Sequence, residues 1–185
     1  MDPTKSIGYQ IVETRAKIHE KHFNSIICTA GGWLGGSIRD IEGLKGFKKM
    51  HAYCTVSALF TAHLASHYLS PKGLLMFTGA KSVYLGPTPG MIGYHIAKTA
   101  THAIAQNMAT LEDLPKDAIV VTILPETLDT PSNREAMPDV DHSKWARCDH
   151  VASIIKMWSD GENVPKNGSF AILEVNNGCV STKFV

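Results

Sequence analysis

Apolar residues along the chain fall into two periods, and the alternation between them predicts the elements. Short, nearly unbroken apolar runs occur at Ser25-Ile26-Ile27-Cys28-Thr29-Ala30, at Leu74-Leu75-Met76-Phe77-Thr78, at Ala118-Ile119-Val120-Val121-Thr122-Ile123-Leu124 and from Ser169 to Val175. Runs of this length, bounded by Gly or Pro, suit strands buried on both faces of a parallel sheet. Between them the spacing changes to three and four: Val56, Leu59, Phe60, His63, Leu64 and His67 mark a helix over 47–69. Further helices are predicted over 91–108 and near 149–159, and a leading one, capped by Asp2 or Thr4, runs to about His22 with Ile7, Ile11, Ala16 and Ile18 on an imperfect stripe. Residues 79–90 read as a Gly/Pro loop and 125–148 as a long polar connection. Strands alternating with helices predict an α/β fold with parallel crossovers.

Composition narrows the partners. At 185 residues the chain fits one domain spanning 1–185. Its 18 Lys and Arg nearly cancel 17 Asp and Glu with no long run of either sign, which gives no case for a nucleic-acid or acidic-membrane partner and favours a small molecule. No stretch approaches a membrane span, and Met1-Asp2-Pro3-Thr4-Lys5 has no apolar signal core, so a cytoplasmic protein is expected. Cys28, Cys54, Cys148 and Cys179 form no Cys-x-x-Cys, against a zinc ribbon or dithiol centre. His63 and His67 share a helix face, but no third ligand is evident; packing explains them, and no metal is expected.

The candidate chemistry lies at Gly90-Met91-Ile92-Gly93-Tyr94-His95-Ile96-Ala97-Lys98. Residues four apart on a helix are stacked neighbours, so the Lys98 ammonium can favour the Tyr94 phenolate and ease release of its proton. Tyr68-Leu69-Ser70-Pro71-Lys72 repeats the spacing, but Pro71 should stop the helix before Lys72 can stand over Tyr68. In parallel sheets ligands gather at the carboxyl ends of strands. Three loops leave such ends here and should converge: Ala30-Gly31-Gly32-Trp33, the stretch from Gly79 to Gly90, and Pro125-Glu126-Thr127-Leu128-Asp129-Thr130-Pro131.

This order of parts resembles the short-chain dehydrogenase/reductase family. Ala30-Gly31-Gly32-Trp33-x-Gly35-Gly36, Gly79-Ala80-Lys81, Thr88 to Tyr94 with Ala97-Lys98, and Leu124-Pro125-x-Thr127-Leu128-Asp129-Thr130-Pro131-x-Asn133-Arg134 followed by Met137-Pro138 are similar to its pterin-reducing branch, over about residues 2 to 180. The resemblance implies a Rossmann-like parallel sheet and reduction of a quinonoid dihydropterin to the tetrahydropterin, supporting tetrahydrobiopterin regeneration, with hydride from NADH, or NADPH. It implies that Tyr94 supplies or orients the proton, Lys98 holds the nicotinamide ribose, and Trp33 walls the pterin beside Tyr94. Ala30, Gly31 and Gly32 would admit the cofactor backbone-close, Pro125 and Thr127 would face the nicotinamide amide, and Thr130 the phosphate side. A homodimer through helices 47–69 and 91–108 is also implied.

Two departures are evident. Where the wider family places a Ser before the Tyr, this chain has Lys81, with Ser82 beside it. The family's opening strand, Gly-rich phosphate turn and strand-end acid find no match, so the first βαβ segment is expected to be lacking, with cofactor affinity collapsing even with Tyr94 intact and exposed edges at runs 25–30 and 74–78. The competing expectations are a non-catalytic dimerisation partner of a complete enzyme and a carbonyl reductase acting on another substrate.

Overall fold

The computed structural model describes residues 5–112, 114–176 and 178–185. Helix α1 (Ile7–Ile18) opens the described fold, its first turn capped by Ser6 Oγ, which accepts the Tyr9 N–H at 3.2 Å. The expected caps Asp2 and Thr4 lie outside the described residues, and the helix stops short of His22 because His19 takes a positive φ of 55°. Strand β1 (Phe23–Cys28) follows, then α2 (Ile41–Met50), a π-helical turn (His51–Val56) and α3 (Ser57–Tyr68), which together form one helical stretch starting before residue 47.

Strand β2 (Leu69–Thr78), the short α4 (Lys81–Leu85), α5 (Ile92–Ala109) and β3 (Ile119–Leu124) form the centre. The connection 125–148 is more ordered than its polarity suggests. It holds β4 (Leu128–Asp129), α6 (Pro131–Ala136), a single 3₁₀ turn (His142–Lys144) and β5 (Ala146–Arg147). Helix α7 (Cys148–Ser159), β6 (Ser169–Asn176) and β7 (Cys179–Phe184) close the chain.

The sheet order is β1-β2-β3-β6-β7, parallel except for the final β6–β7 pair. Cys28, Phe77, Thr122 and Phe170 stand in one register row. Ala58, Ala62 and Ala65 of α3 and Ala105 of α5 lie flat against Leu75, Phe77 and Val120 on one face. Val151 and Trp158 of α7 cover Leu74, Met76, Val121 and Ala171 on the other. Small residues on the helices thus bring backbone close to a sheet of large side chains, the interdigitation that dense cores require. The run 74–78 was expected at an exposed edge, but β2 is paired on both sides; among the described residues the open parallel edge is β1, where Ile27 is 40% exposed.

Candidate active site

Strands β1, β2 and β3 run out at Cys28, Thr78 and Leu124, and since all three are parallel their loops leave one edge. Hydrogen bonds tie those loops together. Thr78 Oγ1 donates to the Cys28 carbonyl at 3.0 Å, Gly79 N–H to Ile123 O at 2.9 Å, and Lys81 N–H to Pro125 O at 3.0 Å. Gly79 has no room for a side chain: a Cβ would lie 2.8 Å from Leu124 Cδ2 and closer still to His102 Nε2.

His102, on α5, carried no signal in the sequence beyond its helical position. Its Nε2 accepts the Ala80 N–H at 3.2 Å, which puts the proton of the neutral ring on Nδ1. Burial first, then Lys98 and His95, push its pKa down to about 4, so the ring stays an acceptor at neutral pH.

The loop after β1 folds onto the start of α5. Gly36 N–H donates to Gly90 O at 2.8 Å and Ile92 N–H to Gly36 O at 3.1 Å. Gly36 has φ +128°, and a Cβ there would sit 2.5 Å from Gly43 Cα, so glycine alone lets the loop pass against α2. This brings Trp33 to Met91, whose Sδ accepts the indole Nε1–H at 3.2 Å. Gly31 and Gly32 lie over the helical stretch: a Cβ on Gly31 would stand 3.4 Å from Lys98 Nζ and 3.6 Å from Cys54 Sγ, while one on Gly32 would meet Tyr53 and Met50. Cys54 Sγ contacts the Gly32 carbonyl at 3.7 Å.

Lys98 is 4% exposed, and its ammonium donates to Thr78 O at 2.7 Å. That is its one protein acceptor among the described residues, which leaves two N–H donors unused. Burial lowers its pKa, partly offset by Cys54 and Cys28. Tyr94 packs half-buried against Met50, Cys54 and Ala97. Its hydroxyl has no hydrogen-bond partner among the described residues and is not sealed from solvent. The expected easing of the Tyr94 proton is not what the structure gives. Burial, with Cys54 adding to it, pushes the phenol above its ordinary value, and Lys98 Nζ, 5.9 Å from the ring centroid, donates to Thr78 O and makes no hydrogen bond to the hydroxyl.

The remaining sequence candidates divide. Ala30 is exposed in the β1 loop; Pro125 is buried at the end of β3. Thr127 O accepts the Ala146 N–H at 2.9 Å, and Thr130 caps α6 by accepting the Asn133 N–H. Thr130 lines a polar cleft of about 430 Å³ with Arg134, Arg147 and Cys148, separate from the Tyr94 group. Ser82, in the first turn of α4, makes no hydrogen bond among the described residues. A cavity of about 580 Å³ bordered by Lys72, Asp117 and Trp158 lies at the opposite ends of the strands, away from this chemistry. Thr78, Met91 and His102 were not foreseen, because only the folded chain brings them to the strand ends.

No family model matches the chain. Dihydropteridine reductase from Dictyostelium discoideum is 38% identical over 165 residues, covering 87% of this chain and 71% of that one. The chain belongs to the dihydropteridine reductase family. Members of this family are oxidoreductases, and solved structures agree on the fold. A short chain dehydrogenase family protein from Francisella tularensis superposes with a TM-score of 0.75 at 18% identity, over 92% of this chain and 76% of that one. A putative dehydrogenase from Burkholderia cenocepacia with bound NADP gives 0.70 at 19% identity, over 99% and 72%. Among the described residues, no helix is long and apolar enough to cross a membrane, and no group of three or more His, Cys, Asp or Glu is arranged to hold a metal.

Proposed function

We propose that this chain reduces quinonoid dihydropteridine, of the dihydrobiopterin type, to the tetrahydropteridine, using NADH or NADPH, as a single cytoplasmic domain that pairs as a homodimer. The observation that supports the reading is that the Trp33 indole is tied to Met91, the residue that leads into the helix bearing Tyr94 and Lys98, in a member of the dihydropteridine reductase family. The site fits a nicotinamide cofactor in two respects. Among the described residues Lys98 keeps two free N–H donors, suited to vicinal ribose hydroxyls, and Gly31, bare of Cβ beside that ammonium, leaves the room a side chain would fill. Ala30, Gly32, Pro125 and Thr127 would border the same space, with Thr130 toward the phosphates. When bound, the reduced nicotinamide supplies the hydride.

The protein's own contribution is placement and the proton. The exposed face of Trp33 stacks a flat heterocycle, worth about 0.5–1.5 kcal/mol beyond area burial. The Tyr94 hydroxyl, unclaimed by any partner among the described residues, donates a hydrogen bond to the substrate, and its raised pKa keeps it protonated through the neutral range. The Lys98 ammonium, fixed by Thr78 O, would hold the nicotinamide ribose beside that hydroxyl rather than ease its proton. The dimer would form through α3 and α5, where Leu59 and Ile96 are exposed apolar residues. The test is oxidation of NADH followed by absorbance in the presence of a quinonoid pterin. Tyr94→Phe is expected to cut turnover by about 10²-fold or more with little change in cofactor binding; a wild-type chain without pterin-dependent oxidation, or an unimpaired Tyr94→Phe, overturns the reading.

A further inference from the structure

A Trp side chain that is 58% exposed on a loop would ordinarily sample several rotamers, yet Trp33 is held at three points. Its indole Nε1–H donates to Met91 Sδ at 3.2 Å. The six-membered end of the ring lies over Gly35, where an added Cβ would stand 3.2 Å from Cη2. The backbone beneath is locked to the same place by the parallel bridge between Gly36 and Met91. Met91 is the residue just before α5 and stands three positions before Tyr94 in the chain. The indole is therefore tied to the start of the helix that carries the phenol, and not only to the loop on which Trp33 is borne.

We infer that Met91 is a positioning residue for the aromatic wall: its thioether, with the flat seat at Gly35, fixes the indole so that a planar heterocycle lying on it meets the Tyr94 hydroxyl. The inference rests on the proposed role of Trp33 but makes a claim about the ligand-free protein that can fail separately. A thioether suits the task because it accepts a hydrogen bond weakly while packing as an apolar group, leaving the ring face dry for stacking. Leucine at 91 would keep the packing and lose the acceptor; glutamine would restore an acceptor at similar length.

Indole ¹H–¹⁵N spectroscopy tests this directly. The three Trp indole signals are separable in principle by one substitution, since Trp145 and Trp158 are 7% and 4% exposed and Trp33→Phe removes the remaining one. In Met91→Leu the Trp33 indole proton is expected to shift upfield toward the free value and its heteronuclear NOE to fall, while the Trp145 and Trp158 signals stay put; Met91→Gln restores the NOE. In turnover, Met91→Leu raises KM for the pterin roughly three- to tenfold with a smaller change in kcat, the range expected for one lost neutral hydrogen bond. An unchanged Trp33 signal in Met91→Leu sinks the inference, as does a Met91→Gln variant no better ordered than leucine. If the Trp33 signal responds as expected but no variant, wild type included, consumes pterin, the clamp stands and the proposed substrate falls.

Discussion

His102 links acid sensitivity to the site through a single hydrogen bond. To accept the Ala80 N–H it must remain neutral, and its folded pKa of about 4 lies well below the 6.5 of an unhindered imidazole. In the window between those values the unfolded chain binds a proton that the folded chain does not, so stability is intact above about 6.5 and declines as pH falls toward 4. The loss is of order 3 kcal/mol when complete. His63, whose value burial also lowers, acts in the same direction. The exposed carboxylates work lower down: Arg147, for example, holds Asp149 at about 2, so that pair weakens only as pH drops below the ordinary carboxylate range. Urea unfolding between pH 7 and pH 4.5 should therefore show a steady loss that His102→Gln, able to accept the same N–H without titrating, flattens in part; equal slopes in the two proteins would refute the assignment. At this scale the pairing of Tyr94 with Lys98 was legible because helical spacing alone makes residues four apart neighbours. The direction of the phenol's shift was not, because it depends on the packing of Met50 and Cys54 around the ring, which no local pattern encodes.

Between helices, α2 crosses the first turn of α5 at a close approach. A Cβ on Gly93 would lie 2.9 Å from Phe47 Cα and 3.1 Å from its amide nitrogen, both backbone atoms that cannot rotate aside. Gly93→Ala is expected to push the helices apart at a cost of about 1–3 kcal/mol, and since Tyr94 is the next residue, to lower turnover beyond what the stability loss explains. Urea midpoints and turnover measured on the same preparation check both parts. The elements that were legible, β1, β3, β6, α5 and α7, are those whose own hydrophobic period suffices to define them. Those missed are stitched by long-range bonds. The two-residue β4 and β5 exist because they pair with each other. Pro71 does end α3, but the chain then continues as strand because Phe23 pairs with Leu69 across an irregularity in register, the place where a sheet tolerates proline. The π-helical turn at 51–56 gave no sequence signal, although it joins two helices whose separate patterns read as one.

For the whole molecule, the proposed dimer makes the most exacting demand on the surface. Helices α3 and α5 pack side by side on one face of the sheet, and each presents an apolar side chain outward, Leu59 and Ile96, both 47% exposed. A single exposed Leu needs no explanation, but two on adjacent helices over the same sheet face suit a two-fold interface, where each would meet its counterpart on a second copy. A stable pair of this kind buries on the order of 1,200–2,000 Å² in total, enough to cover both helices, and charge at the centre of such a seam would be desolvated without a partner. Leu59→Lys with Ile96→Lys is therefore expected to convert a sedimenting dimer to monomer at micromolar concentration while leaving the far-ultraviolet dichroism unchanged, since neither side chain contributes to the sheet cores. Because the same α5 carries Tyr94 and Lys98 on its inner side, a monomer that retains NADH oxidation would assign the seam to assembly alone. A monomer that loses it would mean that α5 is held in its working position by the second copy, and a wild-type chain that sediments as a monomer would remove the dimer from the proposal.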